Sequence, residues 1–584
     1  MNVASRIFLA IGIASMGLYC IPSHAADEVA ERPVSISFSG ILGQSQAADA
    51  EPLPFVGAGG VFFDKKGNLW TASGNELFMF SRAEGKSWAC SKRIALPSPL
   101  LGRAGIRWDG ERAFFACPDG KLYSFDPETQ AVTSFAKTGD FSSSISAFLA
   151  VVPAGLTKGY AAKGKIFLLD GIQVQAFKED GSPSGVVLKL ELPKDTARYC
   201  AIGIEPHTGD LLVASYWPGS KIYRFDVSGQ QVTSAGWPRS GDASGIVTLK
   251  ETAWAVLLGG GAVSLPLDRD KTEASTTESC YTMYASGMAE DPDGGRWIAC
   301  SQGLVEFDKN GHATKRRLGG VAGVQSMSAA DDGTLIALVE NGQRIIRLAI
   351  DDEPDAVFTS NANEPFRTGA SWSNKACGLA WNGKQFLVLD QTSRQLWRFD
   401  PWHMLFGEKP WNEATQPGQF SNPSALTSNG IRTWIVDGGK VLEVNLLPGE
   451  KAVPCPVDLT DSESLGGIVS LSTSSDGSLL GVASKNKVRA YMRSSTGSYA
   501  PLWNAVEGFQ SISGMSVVKD VLFVADKGRR SVTGLSLKTG KTVAVLEEGA
   551  VKGGMMPACI TGSSPWLLVA DEQGRRILRF KIAN

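Results

Sequence analysis

The chain has 584 residues, 43% of them hydrophobic and 20% charged, which is typical of a globular protein but too long for a single hydrophobic core. The charges of its 57 basic and 59 acidic residues nearly cancel. No long run of residues of one charge is present that could bind a phosphate backbone or an anionic membrane surface. Two domains are therefore expected, and nucleic acid is excluded as an expected partner.

The first 25 residues are typical of an export signal. An apolar run from Ile7 to Ile21 is followed by small residues ending at Ala25, so residues 1–25 are predicted to be a cleaved signal peptide and the mature chain to be secreted or periplasmic. No later segment reaches the ~20 apolar residues of a transmembrane helix. Cys20 leaves a lipid anchor open, although Tyr19 before it is bulkier than the usual lipoprotein cleavage pattern.

One repeat fills the mature chain: a small pair, an apolar residue, a turn containing Asp, Asn or Gly, and two further strands. Clear copies are GGVFFDKKGNLWTASGNELFMF from Gly59, IGIEPHTGDLLVASYWPGSKIYRFD from Ile202, CGLAWNGKQFLVLDQTSRQLWRFD from Cys377 and ACITGSSPWLLVADEQGRRILRF from Ala558. The first buried apolar residues of the copies are Val61, Ile106, Phe148, Ile204, Ile246, Met288, Met327, Leu379, Leu426, Ile468, Met515 and Ile560. These twelve units are spaced roughly 39 to 56 residues apart, the range in which propeller blades recur.

The fold class predicted from this repeat is all-β. The second strand of most units is apolar without alternation, as at Leu211–Ala214, Phe386–Leu389 and Leu567–Ala570, which is typical of a strand buried on both faces. Because propellers have four to eight blades, twelve units are predicted to form two tandem β-propellers of six four-stranded antiparallel blades each. The predicted domains are residues 46–319 and 320–584.

The two ends of the chain are predicted to pair. The last unit has only three clear strands, whereas residues 34–39, within an N-terminal segment spanning residues 26–45, alternate as a strand that belongs to no unit. Pairing them would cover an exposed sheet edge. The second propeller would then be closed by the N-terminal strand, and the first by packing of its own first and sixth blades.

Two kinds of known propeller are similar to these repeats. The Val-Ala-Asp units at Phe523–Leu535 and Leu568–Phe580 resemble NHL-repeat and SMP-30/gluconolactonase-like six-bladed propellers. The stretches from Phe62 and Ala289 resemble propeller repeats of two-component sensors. The lactonase-like resemblance implies a divalent ion, usually Ca²⁺, on the propeller axis. These motifs encode turns and strands and so are weak indicators of activity.

The starts of the inner strands are mostly small residues, which suits crowding at the axis, and no Glu-Gly-Pro opening of the lactonase type is present. The polar exceptions near that end are Arg103, Arg198, Asp242, Asn374 and Asn422. They are candidates for ligand binding if their loops converge, and solvated loop residues otherwise. A Ca²⁺ site needs several oxygen ligands, and only Asp242 among them is negative, so no metal or other cofactor is expected.

Aromatic side chains are concentrated in the long connections and form a second group of ligand-binding candidates: Tyr216, Trp217, Trp372, Trp402, His403 and Trp411, with Phe366 and Phe420 beside them. Long loops on a rigid scaffold often bind ligands, and exposed Trp and Tyr favour recognition surfaces. The alternative is that these rings pack between the two propellers.

Eight cysteines remain after removal of the signal, an even number in an oxidising compartment. Cys90 lies in the outer strand of one unit and Cys117 in the second strand of the next, and Cys280 and Cys300 repeat this relation. Two disulfides, Cys90–Cys117 and Cys280–Cys300, are therefore predicted.

The preferred function is an exported non-catalytic binding or scaffolding protein that binds a ligand, or a protein or glycan partner, on its loop faces. The three histidines of the mature chain lack metal-ligand spacing, and neither a haem-attachment motif nor a dinucleotide fingerprint is present, so no catalytic residue is assigned. The alternatives are a metal-dependent lactonase or esterase and a periplasmic sensor-type propeller. The ligand and the oligomeric state stay open.

Overall fold

The computed structural model describes residues 33–42, 58–82, 88–100, 105–137, 148–191, 199–215, 221–236, 243–249, 252–257, 262–265, 285–300, 303–310, 313–321, 323–339, 344–350, 376–399, 411–446 and 452–583. These residues fold almost entirely as antiparallel β-sheet, which confirms the all-β prediction. From Val34 onward they belong to one compact unit. No helix of the described residues is long and apolar enough to cross a membrane.

Within the described residues the strands form twelve sheets, numbered here in chain order with the N-terminal strand assigned to sheet 12. Sheet 1 contains β2 (Val61–Phe63), β3 (Leu69–Ser73), β4 (Glu76–Arg82) and β5 (Trp88–Ala95). Sheet 2 contains β6 (Ile106–Trp108), β7 (Ala113–Cys117), β8 (Lys121–Asp126) and β9 (Ala131–Lys137). Sheet 3 contains β10 (Phe148–Val151), β11 (Ile166–Asp170), β12 (Gln173–Phe177) and β13 (Pro183–Lys189). Sheet 4 contains β14 (Tyr199–Ile204), β15 (Leu211–Ser215), β16 (Lys221–Phe225) and β17 (Gln231–Gly236). Sheet 5 contains β18 (Ala243–Leu249), β19 (Thr252–Leu257) and β20 (Ala262–Leu265). Sheet 6 contains β21 (Gly287–Glu290), β22 (Arg296–Cys300), β23 (Gly303–Phe307) and β24 (Ala313–Leu318).

The second half of the chain repeats this pattern. Sheet 7 contains β25 (Ser326–Ala329), β26 (Thr334–Val339) and β27 (Arg344–Ala349). Sheet 8 contains β28 (Ala376–Trp381), β29 (Phe386–Asp390), β30 (Gln395–Phe399) and β31 (Trp411–Glu413). Sheet 9 contains β32 (Pro423–Ser428), β33 (Thr433–Asp437), β34 (Lys440–Val444) and β35 (Pro454–Pro456). Sheet 10 contains β36 (Ile468–Thr473), β37 (Leu479–Ser484), β38 (Lys487–Arg493), β39 (Tyr499–Pro501) and β40 (Val506–Glu507). Sheet 11 contains β41 (Ile512–Val518), β42 (Val521–Asp526), β43 (Ser531–Ser536) and β44 (Thr542–Leu546). Sheet 12 contains β45 (Pro557–Ser563), β46 (Trp566–Asp571), β47 (Arg576–Ile582) and β1 (Ile36–Ile41). Short 3₁₀ turns occupy Gly159–Ala162, Ser462–Leu465 and Glu548–Ala550.

The first strands of the sheets contact one another in two closed circuits. In the first circuit β2 contacts β6, β6 contacts β10, and the contacts continue through β14, β18 and β21 back to β2. In the second circuit the contacts run from β25 through β28, β32, β36, β41 and β45 and back to β25. Each circuit contains six sheets, and each of the twelve anchor residues predicted from the repeat lies in one of these first strands.

The second strands are buried because each sheet packs against a neighbour on both faces. In β29, Phe386 and Val388 belong to a hydrophobic cluster shared with sheet 7, whereas Leu387 and Leu389 belong to a cluster shared with sheet 9. Successive side chains of a strand point to opposite faces, so a strand between two sheets must be apolar at every position. Burying each large side chain contributes about 1.5–3 kcal/mol.

Small residues in the first strands let neighbouring backbones approach, as the sequence predicts. A Cβ added at Gly203 of β14 would lie 2.3 Å from Ile246 Cγ2 of β18, and one at Gly60 would lie 2.4 Å from the Ile106 nitrogen. Both distances are far below van der Waals contact. The first strands are therefore packed too closely for a side chain at these positions.

The N-terminal strand pairs with the last strand, as predicted. β1 lies antiparallel to β47 as the outer strand of sheet 12, with Phe38 opposite Phe580 and their rings in an edge contact of 5.7 Å between centroids. The first circuit closes by direct packing of sheets 1 and 6. There the Trp88 and Trp297 rings meet at 5.7 Å, and Arg82 Nη2 lies 3.2 Å from Asp291 Oδ2.

The predicted Cys90–Cys117 disulfide is wrong, because both residues carry free thiols. Cys90 packs with Trp88 and Trp297 between sheets 1 and 6, whereas Cys117 lies in the cluster between sheets 1 and 2. Cys90 and Cys117 therefore lie on opposite sides of sheet 1. Cys280 lies outside the described residues, so the Cys280–Cys300 pairing stays a prediction.

Candidate functional site

Each circuit of first strands encloses a central cavity. The first central cavity, of about 260 Å³, is lined by β2, β6, β10, β14, β18 and β21 and by residues next to them. The second central cavity, of about 380 Å³, is lined by β25, β28, β32, β36, β41 and β45. Propeller geometry thus brings residues of twelve distant segments to two sites, and these are the candidate functional sites.

The second central cavity is rich in hydroxyl groups. The lining serines and threonines are Ser326, Ser328, Ser424, Thr427, Ser428, Ser470, Ser472, Thr473, Ser475, Ser513, Ser516 and Thr561. Asp331 is the one acidic residue among its lining residues in the described part of the chain, and it accepts a hydrogen bond from Trp381 Nε1 at 3.1 Å. This cavity therefore offers mainly uncharged hydrogen-bonding groups.

Several of these hydroxyls join adjacent sheets. The Leu379 N–H donates to Ser326 Oγ at 3.0 Å and the Trp381 N–H to Ser328 Oγ at 2.8 Å, which connects β28 to β25. The Val517 N–H donates to Ser472 Oγ at 2.8 Å, which connects β41 to β36. In each case the serine oxygen accepts a bond that would otherwise be missing between first strands, and the hydroxyl keeps its own proton to donate.

The first central cavity contains a buried arginine. Arg107 of β6 is 7% exposed, and its side chain extends to Gly245 of β18 and to Ser286 next to β21. Its Nε donates to Leu149 O at 3.2 Å, and its Nη1 donates to Ile106 O at 3.1 Å and to Ser286 O at 3.0 Å. Burial lowers the pKa of Arg107 to about 10, so the guanidinium is still positively charged at neutral pH.

A cation does not fit the described lining of either cavity. The Arg107 charge would repel a divalent ion in the first cavity, and the second supplies hydroxyls instead of the converging carboxylates that Ca²⁺ prefers. Among the described residues, no group of three or more His, Cys, Asp or Glu side chains is arranged to hold a metal.

The aspartate of the Val-Ala-Asp motif has a structural role. Asp526 ends β42, is fully buried, and accepts hydrogen bonds from the N–H groups of Gln510 at 2.8 Å and Ser511 at 2.9 Å in the loop before β41. Asp571 ends β46 and binds the Met556 N–H at 2.9 Å in the corresponding loop. This aspartate holds the loop that leads into the first strand of its own sheet.

Most of the site residues predicted from sequence lie outside the described residues: Arg103, Arg198, Asp242, Asn374, Tyr216, Trp217, Trp372, Trp402 and His403. Asn422 is exposed in the loop before β32, where its N–H donates to Asp437 Oδ1 at 2.5 Å. Trp411 begins β31, where its backbone pairs with Phe399. Asn422 is not among the residues lining the second cavity. Phe420, beside them in sequence, is a buried core residue.

Sequence reasoning missed Arg107. A signal was present, because Arg107 is a charged residue between Ile106 and Trp108, within a first strand that otherwise begins with small and apolar residues. The polar candidates predicted from the sequence lie in the loops before the first strands, whereas Arg107 lies within a first strand.

Comparisons with known proteins do not assign a family. No family model matches the chain, and no curated protein matches it. One solved structure that it resembles is the extracellular domain of a putative hybrid two-component system from B. thetaiotaomicron, with 10% identity and a TM-score of 0.31 over 95% of this chain and 83% of that one. A similarity of this size transfers neither fold nor function.

Proposed function

We propose that the mature chain is an exported, non-catalytic binding protein built as two six-bladed β-propellers, and that its second central cavity binds a neutral, hydroxyl-rich ligand such as a glycan. The two closed circuits of six sheets support the division into two propellers. The observation that carries the function is the hydroxyl-rich lining of the second cavity, in which Asp331 is the one charged residue among the described lining residues.

The size and chemistry of this cavity suit a sugar. A volume of about 380 Å³ lies in the usual range of small-molecule sites. The hydroxyls of Ser326, Ser328 and Ser472 are fixed by backbone N–H donors and can donate their own protons to ligand oxygens. The Trp381 ring beside Asp331 offers an apolar face, as is common in sites that combine rings with a few polar groups.

The test uses one exposed residue of the cavity wall. Val469 of β36 lines the second cavity and is 41% exposed, so Val469→Tyr places a larger side chain at the cavity wall without replacing a buried residue. Calorimetric titration of the purified mature chain with a panel of neutral oligosaccharides should show saturable binding that Val469→Tyr abolishes. The matched control is Val453→Tyr, at another exposed valine that does not line the cavity.

Absence of binding by the wild-type chain across the panel, or equal binding by Val469→Tyr, would reject the proposed function.

The hydrolase alternative makes a different prediction, namely about one tightly bound Ca²⁺ or Zn²⁺ per chain after dialysis, measured by elemental analysis. The sensor alternative predicts a membrane partner that retains the chain in a pull-down.

A further inference from the structure

The first central cavity holds a positive charge that its described surroundings do not neutralise. The three acceptors of Arg107 are backbone carbonyls, and no carboxylate of the described residues forms an ion pair with it. Burying a charge costs several kcal/mol unless an opposite charge compensates it. Because the pKa of about 10 keeps the group protonated at neutral pH, the charge itself persists.

The guanidinium lies in a space made by glycines from three sheets. A Cβ added at Gly105 would lie 2.8 Å from Arg107 Nη1, and one at Gly245 would lie 2.8 Å from Nη2. At Gly287 a Cβ would lie 3.7 Å from Nη1. Any side chain at Gly105 or Gly245 would displace the arginine, so these positions preserve room around its head group.

One nitrogen of the guanidinium has no acceptor among the described residues. Nε and Nη1 make the three bonds to carbonyls, whereas Nη2, on the side of Gly245, makes none of them. Arg107 lines the cavity, and the other charged lining residue of the described part, Glu290, is three residues beyond Gly287, about 10 Å along the strand. Arg107 thus brings a positive charge to the cavity wall, and the two N–H groups of its Nη2 have no acceptor among the described residues.

We propose that the first central cavity is a binding site for a small oxyanion, a phosphate, sulfate or carboxylate group, which pairs with Nη2 of Arg107. An oxyanion supplies the negative charge and the acceptor atoms that the described residues do not place beside Nη2. Hydrogen bonds between ionised groups are about twice as strong as neutral ones, which offsets the desolvation of both partners. This site is separate from the second cavity and does not depend on the proposed glycan binding.

The experiment measures thermal stability and direct binding with inorganic phosphate, sulfate and acetate as probes, against chloride at constant ionic strength. The wild-type chain should show saturable stabilisation by at least one oxyanion. Arg107→Met should weaken binding by about tenfold or more, because it removes both the positive charge and the N–H donors of Nη2. The matched control is Arg224→Met, which removes another buried arginine, one that is paired with Asp210 at 2.7 Å and does not line the cavity.

A second variant keeps the test decisive if Arg107→Met does not fold. Gly245→Ala retains the arginine and places a methyl group beside Nη2, so it should weaken oxyanion binding in the same direction. Arg224→Met should lower the melting temperature and leave the oxyanion response intact. The proposal is overturned if no probe stabilises the wild-type chain saturably. It is also overturned if Gly245→Ala, or Arg107→Met where that variant folds, responds to the oxyanions as the wild type does.

Discussion

Glycine occupies positions where two neighbouring first strands lie unusually close together. Replacing such a glycine by alanine adds one methyl group and tests whether that closeness requires glycine. Gly203 has no unusual backbone conformation, so the 2.3 Å approach to Ile246 is the reason that alanine is excluded there. Gly203→Ala should destabilise the first circuit by about 1–3 kcal/mol through overpacking. The measurement is the melting temperature of purified variants.

The control for this prediction is Gly467→Ala. Nothing lies within 4 Å of a Cβ at Gly467, so the added methyl group should be neutral or slightly stabilising. Equal effects of the two substitutions would show that crowding between first strands does not select glycine.

Cysteine reactivity is a second prediction at the scale of single residues. Burial raises the pKa of the Cys377 thiol to about 12, and it raises the pKa of the fully buried Cys559 thiol as well, whereas Cys455 is exposed. Since the thiolate is the reactive form, a raised pKa leaves little thiolate at pH 8. Iodoacetamide at pH 8 should therefore modify Cys455 first and Cys377 and Cys559 only slowly, as mass spectrometry of peptides would show. Rapid labelling of Cys559 in the folded chain would contradict this burial.

Among the strands, β1 can be removed from the N-terminal end of the mature chain, and its removal is expected to affect mainly sheet 12. It covers the outer edge of β47, and Val34, Ile36 and Phe38 pack on the cluster between sheets 11 and 12. Removing residues 26–40 exposes that edge and part of the cluster. Hydrogen exchange of backbone amides should therefore accelerate in β46 and β47 and stay unchanged in β3 and β4.

A shorter deletion serves as the control for β1. Removing residues 26–32 leaves Val34, whose N–H donates to Val543 O at 3.0 Å, and the whole of β1. It should leave exchange in β46 and β47 as in the full mature chain. Faster exchange spread equally over both circuits would mean that β1 does not act locally.

At the scale of the molecule, two separately closed circuits predict two unfolding transitions. The first is closed by packing of sheets 1 and 6, where Trp297 is fully buried, and the second by sheets 7 and 12 together with β1. Trp297→Ala should lower the transition of the first circuit, at a cost of about 3–5 kcal/mol. Phe38→Ala should lower the transition of the second circuit, and calorimetry distinguishes the two transitions because the circuits, which we propose to be separate domains, need not unfold as one unit. A single transition shifted alike by both variants would contradict the division into two propellers.

The repeat made most of the fold predictable from sequence. Twelve first strands, apolar second strands and glycine at crowded positions each follow from local rules of strand burial and backbone approach, which act within one unit or between adjacent ones. The end-to-end pairing of β1 with β47 was also predictable, because an isolated strand and an incomplete unit were both visible in the chain.

The central cavities depended on the tertiary structure. Arg107 lies close to Leu149, Gly245 and Ser286 only because six sheets close into a ring, and these residues are distant from one another in sequence. The tertiary structure also decides on which side of a sheet a side chain packs. Cys90 and Cys117, for example, lie on opposite sides of sheet 1. Sequence patterns determined which segments become strands and which of them lie innermost. The closed ring decided which side chains meet, since such contacts depend on the packing of all six sheets at once.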